Sequence, residues 1–357
     1  MKSAQEITGK GPLVDAGGNI TVFGWARQPY LDANLENLKF YSLKAFQVLR
    51  VKRWQYFGIT TPTHFFSFTI STVGYLGSIF AYVLDFNTGE YHEETVTVPF
   101  GTGVVLPRNS TGGDCHYAKG GLHLHFSIEN DNERRLDVTW PCFGGSVLKA
   151  NVRLQLMQGH ESVVNIFPYH NKRFFYTRKV NCIPAEGRIE YGWDEDTHYV
   201  NPIPKVYKIQ PGDCLGTLDW GVGVWPYRSF WIWGSLSQRL PDGRTIGLNL
   251  GGGIGNDPSV TDNAIILNGK VSKLGKVDFK YDSKDFKKPW QMTSPDGRLS
   301  LEFKPFFERV AKTDVLILSS EVHQMFGRYS GFVVTDEGEK IEINDLIGWA
   351  EEHHARW

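Results

Sequence analysis

The chain has 357 residues, with 38 Lys and Arg against 39 Asp and Glu and a formal net charge of -1. That length admits two domains or one large barrel or sandwich, and the balanced charge removes the general attraction to phosphate backbones that non-specific nucleic-acid binding requires. No stretch approaches 18 consecutive apolar residues and the opening Met1-Lys2-Ser3-Ala4-Gln5-Glu6 carries no apolar run, so no membrane span and no export are expected and the chain reads as soluble and cytoplasmic.

In chain order, the first predicted element is a helix over Asn34 to Val48, where Leu35, Leu38, Ala45 and Leu49 recur at helical spacing. Period-two, β-rich segments then dominate, as in His64 to Thr72, Ser78 to Asp85, Leu122 to Ile128 and Val152 to Leu156. Turn dipeptides flanked by strand-like residues follow one another, Thr88-Gly89, Asp242-Gly243, Asn268-Gly269, Asp296-Gly297 and Glu337-Gly338, which predicts successive antiparallel hairpins. A helical turn or two is expected near Phe306 to Lys312. With 23 Phe, 15 Tyr and 11 Trp beside 38 Gly and 17 Pro, the mixture suits an all-β barrel or sandwich whose edges must be closed or covered. A boundary near Ile183 to Gly187 divides the chain into residues 1–185 and 186–357, each half opening on an aromatic pair, Trp54 with Tyr56 and Trp225 with Tyr227. That hints at a duplicated barrel. Cys115, Cys142, Cys182 and Cys214 form no CxxC pair and read as small buried hydrophobes, not as a disulfide framework.

The segment Leu218 to Gly234 is the richest in candidate chemistry. Extended, it places Trp231 and Trp233 on one face, and it puts Asp219 beside Trp220, Trp225 and Tyr227. A carboxylate held near indole rings and away from water is raised in pKa and can donate a proton at neutral pH; the alternative is that Asp219 caps a turn and the tryptophans are core. The glycine run Gly247 to Gly255 does not satisfy G-x-G-x-x-G, so no dinucleotide or other cofactor is expected, and Asn249 and Asn263 are read as facing a ligand or each other. His116, His123 and His125 have metal-like spacing, yet no third ligand is assured and no metal is assigned. At the C-terminus, Glu351, Glu352, His353, His354 and Arg356 lie between Trp349 and Trp357, too much apolar area to leave in water, so at least one charged group is expected to enter the fold with them. Glu351 and His353 are therefore further acid–base candidates, and Gln324 is a candidate to position water or a substrate oxygen.

The blocks Leu218 to Tyr227, Gly247 to Gly253, Gln324 to Gly331 and Glu351 to Trp357 together resemble the domain of unknown function 2804 family. That family is in turn remotely similar to carotenoid hydratase (hydroxyneurosporene synthase) and AttH-like proteins. The resemblance implies two lipocalin-like (calycin) barrels in tandem with an apolar pocket, and carries over no catalytic residue. Three functions are weighed on the residues. One is a cofactor-independent lyase (hydratase or dehydratase) or isomerase acting on a terpenoid- or polyketide-like molecule, with Asp219, Glu351 and His353 as acid–base groups and Trp220, Trp225, Tyr227, Trp231, Trp233, Asn249, Asn263 and Gln324 around the substrate. The second is a non-catalytic lipid or pigment binder. The third, a carbohydrate enzyme, lacks a second carboxylate placed beside Asp219. The partner expected is a small apolar molecule, with self-association left open.

Overall fold

The computed structural model describes residues 5–40, 44–130, 132–193, 203–315 and 318–357. Nearly all of the regular structure is β, as the alternating patterns demand. Each of the five turn dipeptides closes an antiparallel hairpin. At Asn268-Gly269 both residues have positive φ, 47° and 73°, the conformation that a two-residue hairpin loop requires.

Two helical expectations fail for identifiable reasons. Within 34–48 only a 3-10 turn, Leu35–Asn37, and a short α-helix, Lys44–Val48, form, while residues 41–43 lie outside the described residues. Asn34 bonds both ways to Val14, accepting from its N–H at 2.8 Å and donating to its carbonyl at 2.7 Å. That tertiary tie takes up an amide which would otherwise start a helix. Phe306 to Lys312 lies within the strand Leu299–Val315, paired residue by residue with Leu318–Val334. A register shift between Pro305 and Phe307 breaks the alternation there, and this is what gives the segment its apparent helical spacing.

The chain packs as two compact units, each discontinuous in sequence. The smaller holds residues 45–160 and 183–222, and the larger holds 1–44, 161–182 and 223–357. The boundary expected near residue 185 falls inside one strand, Phe174–Trp193, whose first part belongs to the larger unit and second part to the smaller. A division into 1–185 and 186–357 therefore differs from the packing: the chain leaves the larger unit after residue 44, returns at 161, and leaves again along that strand.

In the smaller unit the strand path runs Tyr91–Pro99, Leu76–Asp85, His64–Thr72, Lys52–Thr60, Leu215–Val224, then the second part of Phe174–Trp193, Ser146–Gln155, Glu133–Phe143, Leu122–Asn130 and Cys115–Lys119. Along Ser146–Gln155, Leu148, Ala150, Val152 and Leu154 are buried while Lys149, Asn151, Arg153 and Gln155 are exposed. This is the alternation of a sheet wetted on one side. In the larger unit nine strands follow the order Lys270–Lys273, Ala264–Leu267, Thr245–Gly252, Arg228–Arg239, Lys340–Arg356, Leu318–Val334, Leu299–Val315, Trp290–Thr293 and Asp278–Lys280. One face of that sheet carries an apolar core of Leu236, Leu248, Trp290, Phe303, Met325 and Tyr329 with their neighbours. Both sheets are curled and antiparallel, consistent with a tandem calycin-like fold. Cys115, Cys182 and Cys214 are buried and Cys142 is exposed, so one of the four departs from the expectation of buried thiols; it lies at a register irregularity next to Phe143. Among the described residues no helix is long and apolar enough to cross a membrane.

Candidate functional site

Period two assigns the side chains of the central strands in the larger unit to two faces. Ile232, Leu236, Leu248, Leu250, Met325 and Ala350 enter the apolar core, so Trp231, Trp233, Asn249, Gln324, Glu351 and His353 occupy the opposite face. That face is buried as well: Asn249, Gln324, Trp233 and Glu351 are all nearly inaccessible. The ladder register aligns Gly251, Trp233, Glu351, Gln324 and Arg309 as direct cross-strand neighbours in one row. Residues from five separate strands thus stand side by side.

Glu351 is the centre of this row and is 7% exposed. One carboxylate oxygen accepts from the Trp231 indole N–H at 3.3 Å, and the other accepts from the Gln324 amide at 3.2 Å. Trp231 in turn stands in a cluster of rings. Trp231 lies 3.9 Å from the His353 ring, 5.3 Å from Trp225 and 5.8 Å from Trp357, and Trp225 also packs on Phe175 at 4.5 Å. His353 exchanges a hydrogen bond with Ser320 Oγ at 2.8 Å. Burial, helped by the nearby Arg309 charge, pushes its imidazole down to about 3, so it is neutral at physiological pH and too weak a base to store a proton.

Along the same face Trp233 donates to Asn249 Oδ1 at 2.8 Å, and Asn249 in turn donates to the Asp262 carbonyl at 2.6 Å. The Lys179 ammonium sits 3.9 Å over the Trp233 ring, a cation–π contact made in a buried setting. Asn263 accepts from the Gly251 N–H at 2.6 Å and donates to the Gly275 carbonyl at 2.9 Å. Both asparagines therefore fasten the strand Thr245–Gly252 to the following loop.

Of the residues singled out from sequence, Trp225, Trp231, Trp233, Asn249, Asn263, Gln324, Glu351 and His353 belong to the larger unit. Asp219 and Trp220 are buried on the strand Leu215–Val224 and belong to the smaller one. Tyr227 is 42% exposed, and its carbonyl accepts from the Trp357 N–H at 2.9 Å. Sequence reasoning passed over Lys179, Asp262 and Arg309. Lys179 had a legible signal, as one of two adjacent charged residues, with Arg178, in the strand-like run Phe174 to Cys182, and Arg309 is hidden by the bulge at Pro305. In the smaller unit His116, His123 and His125 are neighbours, with ring centres 5.9 and 6.1 Å apart. Only His125 is tied to a carboxylate, Asp114 at 3.0 Å, and among the described residues no three metal-binding groups converge.

Residues 4–357 match the model of a family described as domain of unknown function (DUF2804), and the chain belongs to that family. No curated protein matches it in sequence. Among solved structures it is similar to CghA with Sch210972, at a TM-score of 0.53 and 10% identity over 86% of this chain and 88% of that one. It is likewise similar to CghA alone, at a TM-score of 0.55 and 10% identity over the same shares. At such identity the likeness is one of fold.

Proposed function

From that membership and that geometry we propose a cofactor-independent lyase of the hydratase or dehydratase type, or an isomerase, acting on an apolar terpenoid- or polyketide-like molecule, with Glu351 as the proton-exchanging group. The observation that carries the reading is the buried Glu351 carboxylate, which accepts from Trp231 on one oxygen and from Gln324 on the other, beside the ring cluster that Trp231 forms with Trp225, His353 and Trp357. A carboxyl group fixed in place can give a proton to an alkene or take one from a neighbouring carbon. The cation formed on protonation faces indole rings, whose quadrupoles attract positive charge. Water then adds, or a proton leaves from the adjacent carbon to the carboxylate. Neutral His353, with Ser320, is suited to orienting that water. The CghA structure with Sch210972 supports small-molecule binding on this fold, and the family's remote similarity to carotenoid hydratase is what suggests water addition. Asp219, buried in the smaller unit, is the second acid candidate.

The test is incubation with a total metabolite extract, followed by native mass spectrometry of the protein and untargeted analysis of products. A new product supports the enzyme; an apolar molecule retained unchanged would establish a lipid or pigment carrier instead. With a substrate in hand, Glu351→Gln is expected to keep binding and thermal midpoint while lowering turnover about a hundredfold or more, the usual cost of losing a general acid or base. Asp219→Asn makes the same test of the second acid: unchanged turnover removes it from the mechanism, and a variant that is mainly destabilised marks it as structural.

A further inference from the structure

Where the cross-strand row ends on Gly251, the loop that follows encloses a cavity of about 420 Å³. That volume lies within the range of roughly 300–1,000 Å³ typical of small-molecule sites. Phe167, Ile232, Val260, Val277 and Phe279 give it apolar walls, the backbone of Gly251 to Gly253 gives it a floor, and Asp262 belongs to the wall. Its rim carries the ion pair of Lys276 with Asp278.

Asp262 is the unusual member. It is 1% exposed, and its Oδ2 has no hydrogen-bond partner among the described residues. A buried carboxyl oxygen left unmatched is costly, more so if charged, and buried polar atoms are in most cases paired. The protein nevertheless builds this position with care. Asn249 holds the Asp262 carbonyl, and Asn263 pins the neighbouring loop to Gly251. Gly251 leaves the room: a Cβ there would come within 2.0 Å of Asp262 Oδ1. Lys273 secures the loop from behind, its ammonium donating to Thr261 Oγ1 at 2.7 Å, to the Leu274 carbonyl at 2.8 Å and to the Asn263 carbonyl at 3.2 Å. Its donors go to those three oxygens, so it acts on Asp262 only as a nearby charge.

We propose that this cavity is a second binding site, apart from Glu351, for a compact apolar molecule bearing a hydroxyl group, which Asp262 engages through its unmatched oxygen. The electrostatics select that class. Lys179 and Lys273 both act on Asp262, so a cationic ligand would meet like charge, while an anionic one would face the carboxyl itself. A hydroxyl can donate to a carboxylate or accept from a carboxylic acid. It therefore fits whichever form is present, and burial shifts this carboxyl upward, towards the acid.

The probe is 1-naphthol, with naphthalene as the partner lacking the hydroxyl, titrated calorimetrically into the full chain. One saturable naphthol site is expected, with naphthalene bound at least tenfold more weakly. Gly252→Val should project its side chain into the cavity and weaken naphthol at least tenfold, since a Cβ at 252 meets only ordinary contacts, Phe279 at 3.4 Å and Ile232 at 3.9 Å. Asp262→Leu should bring the two affinities within about twofold of each other, and Asp262→Asn, which keeps a polar amide, should restore part of the difference. Glu351→Gln should leave naphthol binding unchanged, which separates this site from the one proposed above. Absence of a saturable site in the native protein, or unaltered binding in Gly252→Val, overturns the proposal, as does a naphthol preference that survives in Asp262→Leu. Should Asp262→Leu fail to fold, the Gly252→Val titration decides alone.

Discussion

The second faces of the two sheets invite comparison, because their sequences alternate in the same way and their surroundings do not. In the smaller unit the polar positions of Ser146–Gln155, among them Lys149, Asn151 and Arg153, stand in water opposite a buried row of Leu148, Ala150, Val152 and Leu154. In the larger unit the polar positions of the central strands, Ser235, Ser237, Asn249, Gln324 and Glu351, are as buried as the apolar ones. The cover over part of this face is the first section of the strand Phe174–Trp193. There Asn181 donates to Ser235 Oγ at 2.9 Å and to the Leu236 and Leu248 carbonyls at 3.0 and 3.2 Å, and the Cys182 N–H donates to Ser237 Oγ at 3.0 Å. A polar face that becomes buried must be matched bond by bond. That matching is what turns a strand surface into a place where a carboxylate can be held away from water.

The sharpest way to break the comparison is to remove residues 351–357. The strand Lys340–Arg356 is central, pairing with Arg228–Arg239 on one side and Leu318–Val334 on the other through these residues. Its loss cuts two ladders and strips Glu351, Trp357 and His353 from the face, so a cost beyond about 4–5 kcal/mol is expected. Chemical denaturation would show the larger unit unfolding at much lower denaturant, and an unchanged midpoint would show that the face does not depend on this strand. Next in size is the paired substitution of asparagines on the two faces. Asn249→Leu leaves the Trp233 N–H and the Asp262 carbonyl without their partner and should cost about 2–4 kcal/mol. Asn151→Leu, on the exposed face, should stay within about 0.5 kcal/mol. Equal effects in the two variants would erase the distinction.

The smallest effect expected is a pH dependence. Burial pushes Lys273 in the larger unit and Lys52 in the smaller down to about 7, the first against the pull of Asp262 and Asp336, the second with the push of Arg50. Unfolded, both lysines hold their protons to about 10.4. Above pH 7 the unfolded chain therefore binds more protons than the folded one, and stability should rise with pH between 7 and 8.5, by about 1–2 kcal/mol per lysine. Below pH 7 both states are protonated and this contribution levels off. Lys273→Met and Lys52→Met should each flatten the rise measured by thermal or chemical denaturation; a profile unchanged in Lys273→Met would place that ammonium in contact with water.

The hairpins and the β class are legible in the chain because they rest on local facts. An Asn-Gly pair prefers positive φ whatever surrounds it, and alternation at period two commits successive side chains to opposite faces. The C-terminal tryptophans likewise announced that their segment enters the fold, which Trp349 and Glu351 do. Which polar face would then be buried is not a local property. Glu351 stands in one row with Gln324 and Arg309, and bonds Trp231, only because three ladders are in register, and Asp262 settles over Gly251 only because a loop folds back on a strand. Register and layering are decided by the sum of many distant contacts, so composition and spacing supplied the groups for the chemistry, and tertiary structure decided which of them stand together away from water.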